Sequence, residues 1–238
     1  KIVLIGYGKM GHVIEEIAQA RGHQIVLTIV RGEEALFDDP RFASAEVAIE
    51  FTAPAMAFDN CLRAIERGIP VVSGTTGWTD RQPELRARCE AGEGTVFWSS
   101  NFSIGVNLFL QINRRVAALM QAAPNYHLSM DETHHIHKLD APSGTAITLA
   151  EVILSERPEL KGWELTEEPH TGLLPITAHR EGEVPGIHTV TYTSEVDRIV
   201  LTHEAFGRQG FALGAVLAAE FARTHQGWLT MDDMLQLG

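Results

Sequence analysis

The chain opens KIVLIGYGKMG, Lys1 to Gly11. Four apolar residues, Ile2 to Ile5, run into Gly6-Tyr7-Gly8-Lys9-Met10-Gly11, and an amphipathic stretch follows through Ile17. An apolar run this short and this continuous is buried on both faces, which is the situation of a strand inside a parallel sheet. Outward from it the pattern recurs. QIVLTIV, AEVAIEF, PVVSG and TVFWS are apolar runs of the same kind, separated by amphipathic stretches, one of which reads as a helix through Ala64. Strands alternating with helices predict an α/β half, residues 1–102, with a parallel sheet.

After Asn101 the pattern changes. IGVNLFLQINRRVAALMQAA reads as a long helix, NYHLSMDETHH as an extended segment, and Ser143 to Glu156 as another helix. Beyond Pro158, the runs ITAHRE, IHTVTYTS and RIVLTHEA predict a mixed or antiparallel sheet. FALGAVLAAEFARTHQ closes the chain with helical spacing and is too long for a strand. Two domains of different sheet type, handing over near residues 101 to 104, account for this. The pattern alone leaves open which of them holds the last helix.

Within 238 residues, 45% hydrophobic and 21% charged, the composition is that of a soluble globular protein. No apolar run approaches the roughly 18 residues of a membrane span, and the first residues do not read as a secretory signal. Cys61 and Cys89 have no CxxC spacing, so neither a disulfide framework nor a thiolate metal site is expected, and a cytoplasmic setting is. A net charge of −12 argues against a general nucleic-acid binder. Yet eight of the eleven histidines lie between His127 and His203. Protonatable nitrogen concentrated in an acidic chain fits a pocket for an acidic small molecule.

GYGKMG satisfies GxGxxG in a strand-turn-helix context. Gly6 permits the tight turn, Gly8 lets backbone approach a pyrophosphate, and Gly11 lets the helix pack on the strand. An NAD site usually places Asp or Glu at the end of the second strand; here Val30-Arg31 stands there. A guanidinium in place of a carboxylate favours a 2′-phosphate, hence NADPH over NADH, although Glu33 and Glu34 are near enough to meet a ribose. Two further loops follow predicted strands, making Gly74, Thr75, Thr76, Ser99, Ser100, Asn101 and Phe102 candidates for the nicotinamide ribose.

The stretch HHIHKLDAPSGTA, His134 to Ala146, carries the remaining chemistry. Read as an extended strand, it puts His135 and His137 on one face and His134 and Lys138 on the other. A metal site would take His135, His137 and either Asp131 or Glu132, but Lys138 opposes a cation and HExxH spacing is missing, so no metal is expected. The anion reading uses more of the stretch. Pro142 ends the extended segment, Ser143 is a good N-cap, and Gly144-Thr145 open a helix whose first-turn amides can hold a carboxylate. Lys138 adds a charge-assisted contact and a histidine a proton near neutrality. His127, His179, His188 and His203 read as satisfied sheet residues rather than pocket.

These residues resemble the 4-hydroxy-tetrahydrodipicolinate reductase family, also called dihydrodipicolinate reductase, of the bacterial and plant lysine pathway. Its signature E-x-H-H-x-x-K-x-D-A-P-S-G-T-A is matched throughout Glu132 to Ala146, and GYGKMG, GTTG, NFSIGVN, REGEVPGIHTV and FALGAVLAAEF extend the likeness over nearly the whole chain. Two departures stand out: the glycine loop is one residue shorter than in many members, and Val30 replaces a frequently acidic residue.

The resemblance implies a Rossmann-type dinucleotide-binding domain, residues 1–102 with 212–238, and an α+β substrate-binding and oligomerisation domain with a mixed sheet, residues 103–211. It implies His134 and Lys138 as catalytic proton donors or acceptors, and His135, Gly144 and Thr145 as holders of the substrate carboxylates. Nucleotide contacts would fall on Gly6 to Met10, Arg31, Gly74 to Thr76 and Ser99 to Phe102, with Gly11 completing the loop. The implied activity is NAD(P)H-dependent reduction of a cyclic imine dicarboxylate, in diaminopimelate and lysine biosynthesis, by a cytoplasmic homotetramer. A metal-dependent hydrolase or lyase using the histidine cluster, and a non-catalytic dinucleotide sensor, are the alternatives.

Overall fold

The computed structural model describes residues 1–168 and 170–237. In chain order the elements are β1 (Ile2–Ile5), α1 (Lys9–Ala20), β2 (Ile25–Ile29), α2 (Pro40–Ala43), β3 (Val47–Glu50), α3 (Pro54–Glu66), β4 (Val71–Ser73), α4 (Gln82–Glu90), β5 (Thr95–Trp98) and α5 (Ile104–Met120). There follow β6 (His127–His134), α6 (Gly144–Glu156), β7 (Trp163–Leu165), β8 (Leu174–Arg180), β9 (Ile187–Thr193), β10 (Arg198–Glu204), α7 (Gln209–Ala222), β11 (Gly227–Leu229) and α8 (Met231–Leu235). The chain divides into two compact units, Lys1–Ile104 with Arg208–Gly238, and Gly105–Gly207.

The first unit is built on a six-stranded sheet, order β11-β5-β4-β3-β1-β2, in which every pairing is parallel. β1 explains the unbroken apolar run at the start of the chain. Its side chains alternate, so Val3 and Ile5 enter a core with Phe37, Phe58 and Leu85 on one face, while Ile2 and Leu4 enter a second core with Ile14 and Val216 on the other. α7 lies in the second core through an alanine-rich face, Ala212, Ala215, Ala218, Ala219 and Ala222, all fully buried. Glu220 on α7 takes a two-pronged ion pair from Arg21, at 2.8 and 2.9 Å, and a contact from His23 at 2.8 Å. The helix read from FALGAVLAAEF, α7, therefore belongs to this unit.

The strand order reverses between β1 and β3, which sit side by side while the chain leaves β1 for β2 on the opposite edge. Open α/β sheets bind ligands at such a switch point, outside the carboxyl ends of the strands. Gly6, with φ +94°, turns the chain there; a Cβ on it would lie 2.0 Å from the Phe51 carbonyl oxygen. A Cβ on Gly11 would lie 2.7 Å from the Gly6 carbonyl oxygen, whereas one on Gly8 would meet nothing within 4 Å. The glycines thus differ in what they allow: close packing at 6 and 11, open space at 8.

The second unit carries a five-stranded mixed sheet, order β10-β9-β6-β8-β7. β9 is antiparallel to both β10 and β6, while β8 is parallel to β6 and β7. α5 and α6 pack on it through Phe109, Ala117, Leu149 and Ile153 against Met130, Ile176, Val190 and Tyr192. One expectation fails here. The extended segment does not continue to Pro142; β6 stops at His134 and residues 135–142 are irregular, with a turn at Ile136-His137 and a bend at Ala141-Pro142. Backbone bonds draw them off the strand, with Lys138 N–H donating to the His135 carbonyl at 3.1 Å and Ile136 N–H to that of Gly182 at 3.1 Å. Alternation therefore does not sort His135, His137 and Lys138 onto faces.

Candidate active site

Two cavities open at the switch point of the first sheet. One, of about 340 Å³, is lined by Gly6, Tyr7, Gly8, Val30, Arg31 and Glu34 together with Phe51, Thr52 and Asn60. The other, of about 360 Å³, is lined by Gly8, Lys9, Met10 and Gly11 with Phe51, Thr52, Gly74, Thr75 and Thr76. Gly8 is the N-cap of α1 and puts no side-chain cap on its first-turn amides, so the positive end of the helix faces the space that Gly8 leaves open. A dinucleotide pyrophosphate fits that cradle. Arg31 lines the first cavity beside Glu34, and the acids next to it brace the loop: Glu33 accepts from Val30 N–H and Glu34 from Gly32 N–H, both at 3.1 Å. Tyr7 donates its hydroxyl to Glu15 and sets its ring 4.1 Å from that of His12.

The nucleotide candidates differ in how they meet these cavities. Thr75 is buried, its hydroxyl donating to Glu50 at 3.0 Å and accepting from Thr52 N–H at 2.8 Å. Phe102 is a core residue, 2% exposed and packed with Phe51 and Phe97. Ser99, Ser100, Asn101 and Phe102 line neither cavity. Ser99 and Asn101 fold into a turn, the Ser99 hydroxyl donating to the Asn101 carbonyl at 2.8 Å and Asn101 Oδ1 accepting from Ser103 N–H at 2.9 Å.

In the second unit the chemistry gathers where β6 ends. Glu132 and His134 are two residues apart on that strand and so share a face. The Glu132 carboxylate, 1% exposed, pairs through Oε2 with His134 Nδ1. Its Oε1 accepts from Ser143 N–H at 3.1 Å and from Arg180 Nη2 at 3.0 Å. Burial pushes this carboxyl up, but the contacts with His134, Ser143 and Arg180 outweigh it and hold it at about 2. An ionised Glu132 thus anchors His134 by one nitrogen and turns Nε2 away. Gly186 makes room there, for a Cβ at 186 would stand 3.0 Å from Nε2.

Lys138 is held on the same loop. Its ammonium pairs with Asp140 at 2.9 Å, and its carbonyl accepts from Arg180 Nε at 3.3 Å. Arg180 Nη2 also donates to the Asp140 carbonyl at 2.6 Å, so one guanidinium ties Glu132 to the lysine loop. Ser143 caps α6 by accepting from Ala146 N–H at 3.2 Å, which puts Gly144 and Thr145 at the opening of the helix. Its hydroxyl also lies 3.0 Å from His188 Nε2. His188 is buried and stands edge-on to His134, ring centroids 5.1 Å apart; burial, then the neighbouring His134, lowers it to about 4, so it is neutral at working pH.

His188 is the sheet residue expected, on β9 and bonded to Ser143, and the register of β9 also sets it beside Glu132 and His134. His135 and His137 have ring centroids 6.0 Å apart, and His137 pairs with exposed Glu183 at 3.1 Å. Among the described residues, the group whose ligand atoms converge within 4.8 Å is Glu132, His134 and His188, not His135 and His137. Arg180 already occupies Glu132 and opposes a cation there. Arg180 and His188 carry no local signal, because β8 and β9 bring them in by register, opposite His134 and Glu132. Glu132 did carry one: an acid two residues before a strand histidine shares its face.

Comparison with known proteins bears on both units. A family model described as dihydrodipicolinate reductase, N-terminus, matches residues 1–102, and one described as dihydrodipicolinate reductase, C-terminus, matches residues 105–235. A 4-hydroxy-tetrahydrodipicolinate reductase of Christiangramia forsetii is 47% identical over 234 residues, covering 98% of this chain and 97% of its own length. One of Archaeoglobus fulgidus is 35% identical, with 96% of each covered. The dipicolinate-bound dihydrodipicolinate reductase of Paenisporosarcina sp. TG-14 superposes with a TM-score of 0.77 at 22% identity, covering 98% of this chain and 97% of that one.

Proposed function

The chain belongs to the dihydrodipicolinate reductase family, and from that premise we propose how its residues carry out the reaction. It is a 4-hydroxy-tetrahydrodipicolinate reductase, an NAD(P)H-dependent oxidoreductase that reduces the dehydrated cyclic imine dicarboxylate to tetrahydrodipicolinate. When bound, the nicotinamide supplies the hydride. The protein's tasks are then to neutralise two carboxylates, orient the ring and deliver a proton.

His134 delivers the proton from Nε2, with Glu132 stabilising the imidazolium and fixing its orientation. Lys138 is the second donor. His135 and the opening of α6 at Gly144 and Thr145 take the carboxylates. The observation that carries this reading is the Glu132–His134 pair at the end of β6, tied by one guanidinium to the lysine loop and by Ser143 to the start of α6. On the first unit the glycine loop takes the pyrophosphate, and Gly74 and Thr76 the nicotinamide side. Arg31 favours NADPH over NADH, a reading supported by Glu33 and Glu34 being engaged with loop amides. Assembly as a cytoplasmic homotetramer is part of the proposal; Ile199 and Val200, 40% and 48% exposed on edge strand β10, offer it a surface.

The test is oxidation of NADPH and NADH followed at the nicotinamide absorbance, with substrate generated in place from pyruvate and aspartate semialdehyde. Turnover with a preference for NADPH is expected. Dinucleotide binding without turnover would refute the enzymatic assignment of these residues and return the sensor reading.

A further inference from the structure

Glu50, the last residue of β3, is a carboxyl group with no exposed surface. Among the described residues no cation pairs with it. Three hydroxyls converge on it instead: Ser73 donates to Oε2 at 2.6 Å, Thr75 to Oε1 at 3.0 Å, and Thr52 also to Oε1. A buried carboxyl without a counter-charge is costly unless hydrogen bonds compensate it, and that gives the three hydroxyls a purpose.

The purpose follows from how a hydroxyl divides its capacity. Each has one proton and two acceptor lone pairs. By taking the protons, Glu50 fixes all three rotors and leaves lone pairs facing outward. That of Thr75 accepts from Thr52 N–H at 2.8 Å, and that of Thr52 from buried Asn60 Nδ2 at 3.3 Å. Trp78 and Trp98 close the arrangement by donating to the Thr75 carbonyl at 2.7 and 3.2 Å. The loops after β3 and β4 are laced together from beneath, and these loops, through Phe51, Thr52, Gly74, Thr75 and Thr76, wall the cavity opposite the glycine loop.

We propose that Glu50 is the positioning residue of the dinucleotide cleft: it touches no ligand and sets both loop walls through the hydroxyls of Thr52, Ser73 and Thr75. The inference rests on the reading of this unit as the dinucleotide-binding one. It also explains why Thr75, expected from sequence to contact the ribose, is buried: its side chain belongs to the support and its loop to the wall.

NADH binding to the full chain, followed by nicotinamide fluorescence, and steady-state kinetics on the same proteins test it. Glu50→Ala should raise the NADH dissociation constant and KM by about tenfold or more, as loss of a buried hydrogen-bond hub implies, while kcat at saturating NADH and the dicarboxylate KM stay within about threefold. Glu50→Gln should recover most of the affinity, because its oxygen still accepts from both threonines and its amide donates to Ser73. A purely structural role would lower the melting temperature without that split. A folded Glu50→Ala with wild-type NADH affinity overturns the proposal. If that variant does not fold, Thr75→Val decides: weakened NADH is expected, and wild-type affinity overturns. A wild-type chain that binds neither dinucleotide removes the reading of this unit and the proposal with it, whereas equal binding by wild type and variant removes only the role of Glu50.

Discussion

Replacing Glu132 by glutamine isolates what the buried carboxylate contributes. The amide keeps the shape of the side chain and is a permanent stand-in for its neutral form. The contacts with His134, Ser143 and Arg180 hold this carboxyl at about 2 against an ordinary 4.5. At about 1.4 kcal/mol per pH unit, the folded protein therefore favours the ionised form by on the order of 3 kcal/mol. Breaking a buried ion pair by removing one partner costs a similar roughly 3–5 kcal/mol, so the two routes agree. The sign is set by the depression: the stabilisation is present above the unfolded-state value and is lost as pH falls through the folded-state value. Urea denaturation of wild type and Glu132→Gln should give a stability gap of about 3 kcal/mol near pH 7, shrinking to roughly half of that near pH 3 as the wild-type carboxyl protonates on unfolding. An equal gap at both pH values, or none at either, would refute the view that an ionised Glu132 holds the end of β6.

Further outcomes are expected elsewhere. His134→Ala should lose roughly 10²- to 10⁴-fold in turnover with dinucleotide affinity unchanged, as measured by single-turnover kinetics and fluorescence titration; near-full turnover would end its assignment as proton donor. Arg31→Ala should weaken NADPH about tenfold or more and NADH far less, as loss of a charge-assisted contact to a phosphate requires, and an unchanged ratio of dissociation constants would make Arg31 a loop charge only. Gly214→Ala should destabilise by about 1–3 kcal/mol or more, lowering the melting temperature by several degrees in calorimetry, because a Cβ there would stand 1.7 Å from the Phe102 carbonyl oxygen. An unshifted transition would mean that α7 moves away from Phe102 at little cost.

What the sequence reveals of the fold depends on where each element's contacts come from. β1 is legible because both of its faces are buried, so its four residues are all apolar and no neighbour is needed to read them. α4 carries no legible stripe: of its nine residues only Leu85 and Cys89 are buried, too few to mark a face in a charged segment. β7 and β11, three residues each, carry too little pattern to separate from loop. The end of β6 was misjudged for a related reason. The extended reading ran on to Pro142, the nearest local breaker, whereas the strand ends where the 135–142 segment turns onto its own carbonyls and that of Gly182.

The same division runs through the site. The residues proposed to act lie within one stretch, Glu132 to Thr145, and their types and spacing suit acid–base and anion-binding chemistry. The residues that hold them come from other strands. Arg180 reaches Glu132 because β8 pairs with β6 in a register that sets Arg180 opposite His134, and His188 reaches Ser143 because β9 sets it opposite Glu132. A slip of β8 by one residue would turn Arg180 to the other face of the sheet, withdrawing its guanidinium from Glu132 and from the carbonyls of Lys138 and Asp140 together. The signature would be intact and the site undone. Register, set by the packing of Met130, Ile176 and Val190 in the core beneath, is therefore as much a determinant of His134's chemistry as the histidine itself.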